Sequence, residues 1–144
     1  MKKNGQYILM LEDDIDDRFT TQSFFDEQGY DIGLRFLTQS DEVIPFLENC
    51  CKLTETLPGL IILDKNVPAS GGVDVLRKIR SHKRYSHIPV VIVSGSAYPA
   101  EVEESYRLGA SSYICKPFSD ELTRKKIDAC VRYWFEIVEL PQLV

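Results

Sequence analysis

The chain reads as an α/β protein, a five-stranded parallel sheet with helices on both faces. Three observations predict this. Short, near-continuous apolar runs rich in Val and Ile recur along the 144 residues, the pattern of strands covered on both sides. Helix-compatible segments separate consecutive runs, and that alternation implies right-handed crossovers and a parallel sheet. No low-complexity linker interrupts it. A chain of this length fits one domain, residues 1–144 with a core over about 6–140, burying roughly 68–70% of its unfolded surface.

The elements follow in order. Tyr7 to Leu11 is the first strand and runs into Glu12-Asp13-Asp14. Asp14 to Gln28 reads as a helix, closed by Gly29 at the position where a left-handed residue ends helices. Asp31 to Leu37 alternates weakly and fits a second strand. Ser40 or Asp41 can cap a helix through Leu47 to Cys51, and Thr54 to Pro58 is a loop. Leu60 to Leu63 is the third strand, ending in Asp64. Asn66 to Gly72 is a loop that opens a helix with Val75, Leu76 and Ile79 on one apolar face. Ile88 to Val93 is the fourth strand, ending at Ser94, and Pro99 suits the first turn of a helix that stops near Leu108, before Gly109. Tyr113-Ile114-Cys115 is the fifth strand and runs into Lys116-Pro117. Ser119 starts the last helix, whose stripe is Leu122, Ile127, Cys130, Val131, Trp134 and Val138, with Pro141 beyond its end. Five such units favour the flavodoxin-like strand order 2-1-3-4-5 in a (βα)5 three-layer sandwich. A single domain without a further output domain is expected.

Composition narrows the function. Lys plus Arg number 17 against 22 Asp plus Glu, a net charge of −5, which disfavours nucleic-acid binding through a basic surface. No basic amphipathic helix suggests a membrane, the amino terminus lacks a signal-peptide core, and no window approaches a membrane span; a cytoplasmic location is expected. Cys50, Cys51, Cys115 and Cys130 form no CxxC and no zinc-type cluster, so Cys115 and Cys130 are expected as reduced core thiols. His82 and His87 have no acidic or cysteine partner nearby and are poor metal ligands.

In a parallel sheet of this kind, ligands bind beyond the carboxyl ends of the strands. Asp13, Asp14, Asp64, Ser94 and Lys116 are therefore expected on one rim. Three carboxylates together repel unless a cation neutralises them. With only oxygen ligands on offer a hard cation is expected, Mg²⁺ best, with Mn²⁺ an alternative. Glu12-Asp13-Asp14 could instead merely cap a helix, where negative charge is favoured. Asp64 resists such an explanation, because it ends an apolar run where an ionised side chain needs a partner or metal. Beside a divalent cation it can attack phosphorus and form an aspartyl phosphate. Lys116 and Ser94 could then stabilise charge on the phosphoryl oxygens.

With these residues in place, the chain resembles the receiver domain of two-component response regulators, the CheY-like fold, over essentially its whole length. The matching stretches are Ile8 to Asp14, Leu63 to Pro68 with Gly72, Val91 to Gly95, and Gly109 to Phe118. The resemblance implies that Asp64 accepts a phosphoryl group from a sensor histidine kinase or phosphotransfer protein. It implies Mg²⁺ held by Asp14, Asp64 and the backbone carbonyl of Asn66, with Asp13 assisting through water. Lys116 would pair with Asp64, Ser94 would swing toward the phosphoryl group, and Tyr113 would turn inward behind it. It also implies a cis Lys116–Pro117 bond and an output face over about Pro99 to Leu140. On that face Trp134 is expected in the core, while Phe135, Ile137 and Leu140 would spill onto an adjacent surface fit for a homodimer or downstream partner. The carboxyl-terminal stretch is similar to small stand-alone receivers that serve phytochrome-like sensor kinases.

Several positions depart from the family's common pattern. Gly71 stands where an acid is frequent, Lys65 follows the phosphoacceptor, and Ser94 replaces threonine. Asn66 and Ser96 occupy positions that tune dephosphorylation in the family. Two alternatives to a working receiver fit the residues less well. A Mg²⁺-dependent phosphohydrolase would need an acid where Asn66 stands, and a degenerate receiver used only for binding would not require Asp13, Asp14, Asp64, Ser94 and Lys116 together.

Overall fold

The computed structural model describes residues 5–67 and 71–141. Five strands, β1 (Tyr7–Leu11), β2 (Gly33–Leu37), β3 (Leu60–Asp64), β4 (Val90–Ser94) and β5 (Ser112–Cys115), alternate with five helices. These are α1 (Ile15–Gln28), α2 (Val43–Lys52), α3 (Gly71–Arg80), α4 (Pro99–Arg107) and α5 (Asp120–Arg132). All pairings are parallel, in the order β2-β1-β3-β4-β5, as expected for the CheY-like sandwich. Among the described residues no helix is long and apolar enough to cross a membrane.

Strand alternation divides the core in two. Leu9, Leu11, Ile61, Leu63, Val90 and Ile92 face Val43, Leu47, Val75, Leu76 and Ile79 of α2 and α3. On the other side Ile8, Leu60 and Val91 meet Phe25 of α1 and Val131 and Phe135 at the end of the chain. The second side is less well filled. There α1 turns Thr20 and Thr21 inward and leaves Ile15 and Phe19 more than 70% exposed. A cavity of about 250 Å³ results, with walls that include Met10, Ile62, Val93, Ile114, Ile127 and Cys130. Burial pushes the Cys130 thiol up to about 11.

Local signals set most helix ends. The Asp14 carboxylate caps α1 by accepting from the Asp16 and Asp17 amides, and Gly29 closes it at φ 63°. Pro99 opens α4, and the Ser119 hydroxyl caps α5. Four details differ from expectation. Glu42, rather than Ser40 or Asp41, stands at the N-cap position of α2. Ser40 to Glu42 form a 3-10 turn in which Gln39 and Glu42 cap reciprocally, and Ser40 is buried. The Lys116–Pro117 bond is trans, since no cis peptide occurs among the described residues; trans is the lower-energy form of X–Pro by about 0.5–1 kcal/mol. Leu122, expected in the stripe of α5, is exposed.

The fourth difference lies at the end of α5. Tyr133 to Ile137 form a π-helical turn, closed by the Val138 amide on the Tyr133 carbonyl at 3.1 Å. Its wider winding shifts the inward face. Phe135, not Trp134, goes into the core at 3% exposure, while Trp134 is half-buried. Phe135 and Leu140 close over Gly59, where a Cβ would lie 3.2 Å from the Phe135 ring. The surplus apolar surface is therefore Tyr133 and Ile137 rather than Phe135 and Leu140.

Arg80 ties α3 to the far end of the sheet. Its Nε donates to the Gly109 carbonyl at 2.8 Å, and one terminal nitrogen donates to Ser86 at 2.9 Å and Ile88 at 2.7 Å. Gly109 (φ 107°) has to be glycine, since a Cβ would lie 2.9 Å from Arg80 Cγ.

Two outcomes are expected in urea unfolding. Arg80→Ala strands three carbonyls and lowers stability by about 2–4 kcal/mol, and lysine recovers only part of that. Val93→Ile, which enters the cavity, is neutral or stabilising by up to about 1 kcal/mol, whereas Val90→Ile on the filled face destabilises by roughly 1–3 kcal/mol.

Candidate functional site

The carboxyl ends of β1, β3, β4 and β5 bring the chemistry-bearing residues together. Asp64 closes β3 at 4% exposure. Its Oδ1 accepts from the Asn66 amide at 2.9 Å and its Oδ2 from Lys116 Nζ at 2.7 Å. Gly72 lets the start of α3 approach this strand end, because a Cβ there would lie 3.1 Å from the Asp64 carbonyl. Lys116 is positioned by its own backbone, whose amide donates to the Ser94 carbonyl at 2.7 Å. The same ammonium lies 3.5 Å from Glu12 Oε1 and 3.8 Å from Asp17 Oδ2.

The acidic group differs from the expected one by a residue. The Glu12 amide still pairs with the Leu37 carbonyl, so the chain leaves the sheet one position later than the apolar run suggests. Carboxylate oxygens of Glu12, Asp13 and Asp64 all lie within 4.8 Å of one another. Glu12 is 2% exposed and Asp13 is exposed. The Asp14 carboxylate is directed into α1 instead, 2.8 Å from the Asp16 amide and 3.0 Å from the Asp17 amide. Glu12 and Asp17 were missed in the sequence. The signal was present: Asp14-Ile15-Asp16-Asp17 is a cap followed by an acidic first turn, which frees Asp14 from the rim and moves Glu12 onto it.

Electrostatics follow from this crowding. Burial, then the neighbouring Asp64 charge, raises the Glu12 carboxyl to about 7, although Lys116 opposes this. Burial also works against the Lys116 ammonium, but the hydrogen bond and charge of Asp64, with Glu12 and Asp17, outweigh it and hold the group above its ordinary value. Ser94 is fully buried beside this cluster; its Oγ accepts from Asn66 Nδ2 at 3.4 Å and from the Ser96 amide at 3.2 Å. The Tyr113 hydroxyl donates to the Ser96 carbonyl at 2.8 Å. Tyr113 is thus already tied to the β4–α4 loop while Asp64 is paired with Lys116.

The family model of the response regulator receiver domain matches residues 8–128. The chain belongs to that family, and so is a receiver domain of two-component signalling, a signalling module rather than a conventional enzyme. The transcriptional regulatory protein GltR of Pseudomonas aeruginosa is 30% identical over 132 residues, covering 92% of this chain and 51% of that protein. The chain spans about half the length of the curated relatives it matches. Among solved structures, the Mn²⁺-bound response regulator Rcp1 superposes with a TM-score of 0.85 at 28% identity, covering 95% of this chain and 99% of that one. The phosphorylated cyanobacterial phytochrome response regulator RcpA gives 0.87 at 25% identity with the same coverage.

The raised Glu12 value has a consequence for stability. A carboxyl that binds its proton more tightly folded than unfolded loses folding stability as pH rises from about 4.5 through 7. In the presence of chelator, Glu12→Gln is therefore expected to change little at pH 4. Above pH 7 it should raise the melting temperature, by roughly 3–8 °C for a gain of about 1–2 kcal/mol.

Proposed function

We propose that the protein accepts a phosphoryl group on Asp64 from the phosphohistidine of a sensor kinase or phosphotransfer protein. The single observation that carries this reading is the Asp64–Lys116 pair set among Glu12 and Asp13 at the rim. A carboxylate oxygen of Asp64 attacks phosphorus, the new O–P bond forms as the P–N bond breaks, and the electron pair leaves with the imidazole nitrogen. Lys116 then balances charge on the phosphoryl oxygens, and the Ser94 hydroxyl supplies a hydrogen-bond donor.

The donor set fits a divalent cation of the Mg²⁺ or Mn²⁺ type, being oxygen-only and strongly repulsive without one. Glu12, Asp13 and Asp64 would hold it, with the Asn66 carbonyl as a further ligand. When bound, the cation neutralises charge on the carboxylates and the transferring group. The Asp14 carboxylate, engaged by α1, is not assigned to it.

A protein donor is supported by the surface around the site. Ile15, Phe19, Phe118 and Leu122 are large, apolar and exposed, and all lie in the first turns or loops that leave the rim. A phosphohydrolase reading gains no support, because Asn66, two residues after Asp64, offers no acid for a leaving group.

Intact mass after incubation with acetyl phosphate and Mg²⁺ tests the reading. One phosphoryl adduct is expected, absent in Asp64→Asn and in the presence of chelator. An adduct that persists in Asp64→Asn would place the nucleophile elsewhere.

A further inference from the structure

Lys65, which follows Asp64, and Ser96, at a position that tunes dephosphorylation in the family, meet on a third residue, Glu101 in the first turn of α4. Lys65 Nζ lies 3.2 Å from Glu101 Oε2, and the Ser96 hydroxyl donates to that same oxygen at 2.9 Å. Ser96 Oγ lies in turn 3.4 Å from Ser94 Oγ. A chain of contacts therefore runs from the residue beside Asp64, through α4, back to the buried hydroxyl of the site.

The direction of the hydroxyl–hydroxyl bond can be counted. A carboxylate only accepts, so the one Ser96 hydroxyl proton is committed to Glu101. Toward Ser94 the Ser96 oxygen is then an acceptor. Independently, Ser94 Oγ already accepts from two N–H groups, the Ser96 amide and Asn66 Nδ2, which leaves Ser94 to act as donor. Both counts agree: the Ser94 proton is directed to Ser96. A Ser94 hydroxyl engaged in this way does not offer its proton to a group on Asp64. The Ser96 hydroxyl, then Lys65, hold the Glu101 carboxyl below its ordinary range, so it stays an ionised acceptor at neutral pH. The Tyr113 hydroxyl holds the carbonyl of the same Ser96.

We propose that Glu101 is a positioning residue that acts through Ser96 to hold the Ser94 proton away from the phosphorylation site, with Lys65 fixing its carboxylate. This rests on the reading of Asp64 as phosphoacceptor. Occupation of Asp64 by a phosphoryl group must break the Ser94–Ser96 bond, and Glu101 sets how readily that happens. Removing Glu101 leaves the Ser96 hydroxyl without its carboxylate anchor, so it can rotate away from Ser94 and release the Ser94 proton to turn toward the site.

The test is titration of the full chain with beryllium fluoride and Mg²⁺, followed by ¹⁹F NMR, for the unsubstituted protein, Glu101→Ala, Ser96→Ala and the double variant. Each single variant is expected to bind roughly three- to tenfold more tightly, the size of one neutral hydrogen bond. Glu101→Ala should have no further effect once Ser96 is alanine. In metal-free protein the same substitution should shift the Ser94 and Ser96 amide resonances. Unchanged or weaker binding in Glu101→Ala, or an effect of equal size in the Ser96→Ala background, would overturn the positioning role. Absence of binding by the unsubstituted protein would instead overturn the phosphoacceptor reading beneath it.

Discussion

Asp64 is almost completely withdrawn from solvent, with an ammonium on one oxygen and a backbone amide on the other. Two further carboxylates share its pocket. Without Lys116 this arrangement would concentrate negative charge in a place where water cannot screen it. That ammonium is anchored by the backbone of β5 against β4, so the pairing of two strands fixes the electrostatics of a third. Most of the rim serves the same end. Gly72 allows α3 to start close to Asp64, and the Asn66 turn supplies the amide. The price appears at Glu12, whose proton affinity rises because only one cation is shared among the acids around it.

The two faces of the sheet answer to different demands. The face under α2 and α3 is filled by branched aliphatic side chains whose exposure is close to zero. The face under α1 and α5 carries the approaches to the site, and there α1 offers threonines inward and phenylalanine outward. An α1 optimised for packing would bury Phe19 and Ile15; the helix present keeps them at the surface next to the rim. The composition of α1 is thus not explained by packing against the core alone.

The sheet was legible because strands covered on both faces tolerate almost nothing but aliphatic residues, and Leu60 to Asp64 or Val90 to Ser94 leave little room for another reading. Asp64, Ser94 and Lys116 were legible as polar residues ending such runs, where solvation alone does not account for them. The acidic group was read one residue late. Composition cannot tell which of three consecutive acids leaves the strand, caps the helix or faces the rim; the β1 hydrogen bonding and the Asp14 cap decide it. The π turn was hidden for a related reason. Cys130, Trp134 and Val138 keep regular helical spacing, and only the packing of Phe135 against Gly59 shows that the winding changes. Glu101 carried no signal, since its role depends on a loop that returns Ser96 to the first turn of α4.

The void between α1, α5 and the sheet has a mechanical side. It opens at the rim, where Asp17, Lys116, Asp120 and Lys126 border it, so water can enter it. A layer that leaves such a gap resists displacement less than one packed without voids, as the layer formed by α2 and α3 is. The half of the molecule that carries the rim's apolar side chains is therefore also its soft half, able to change shape without disturbing the other.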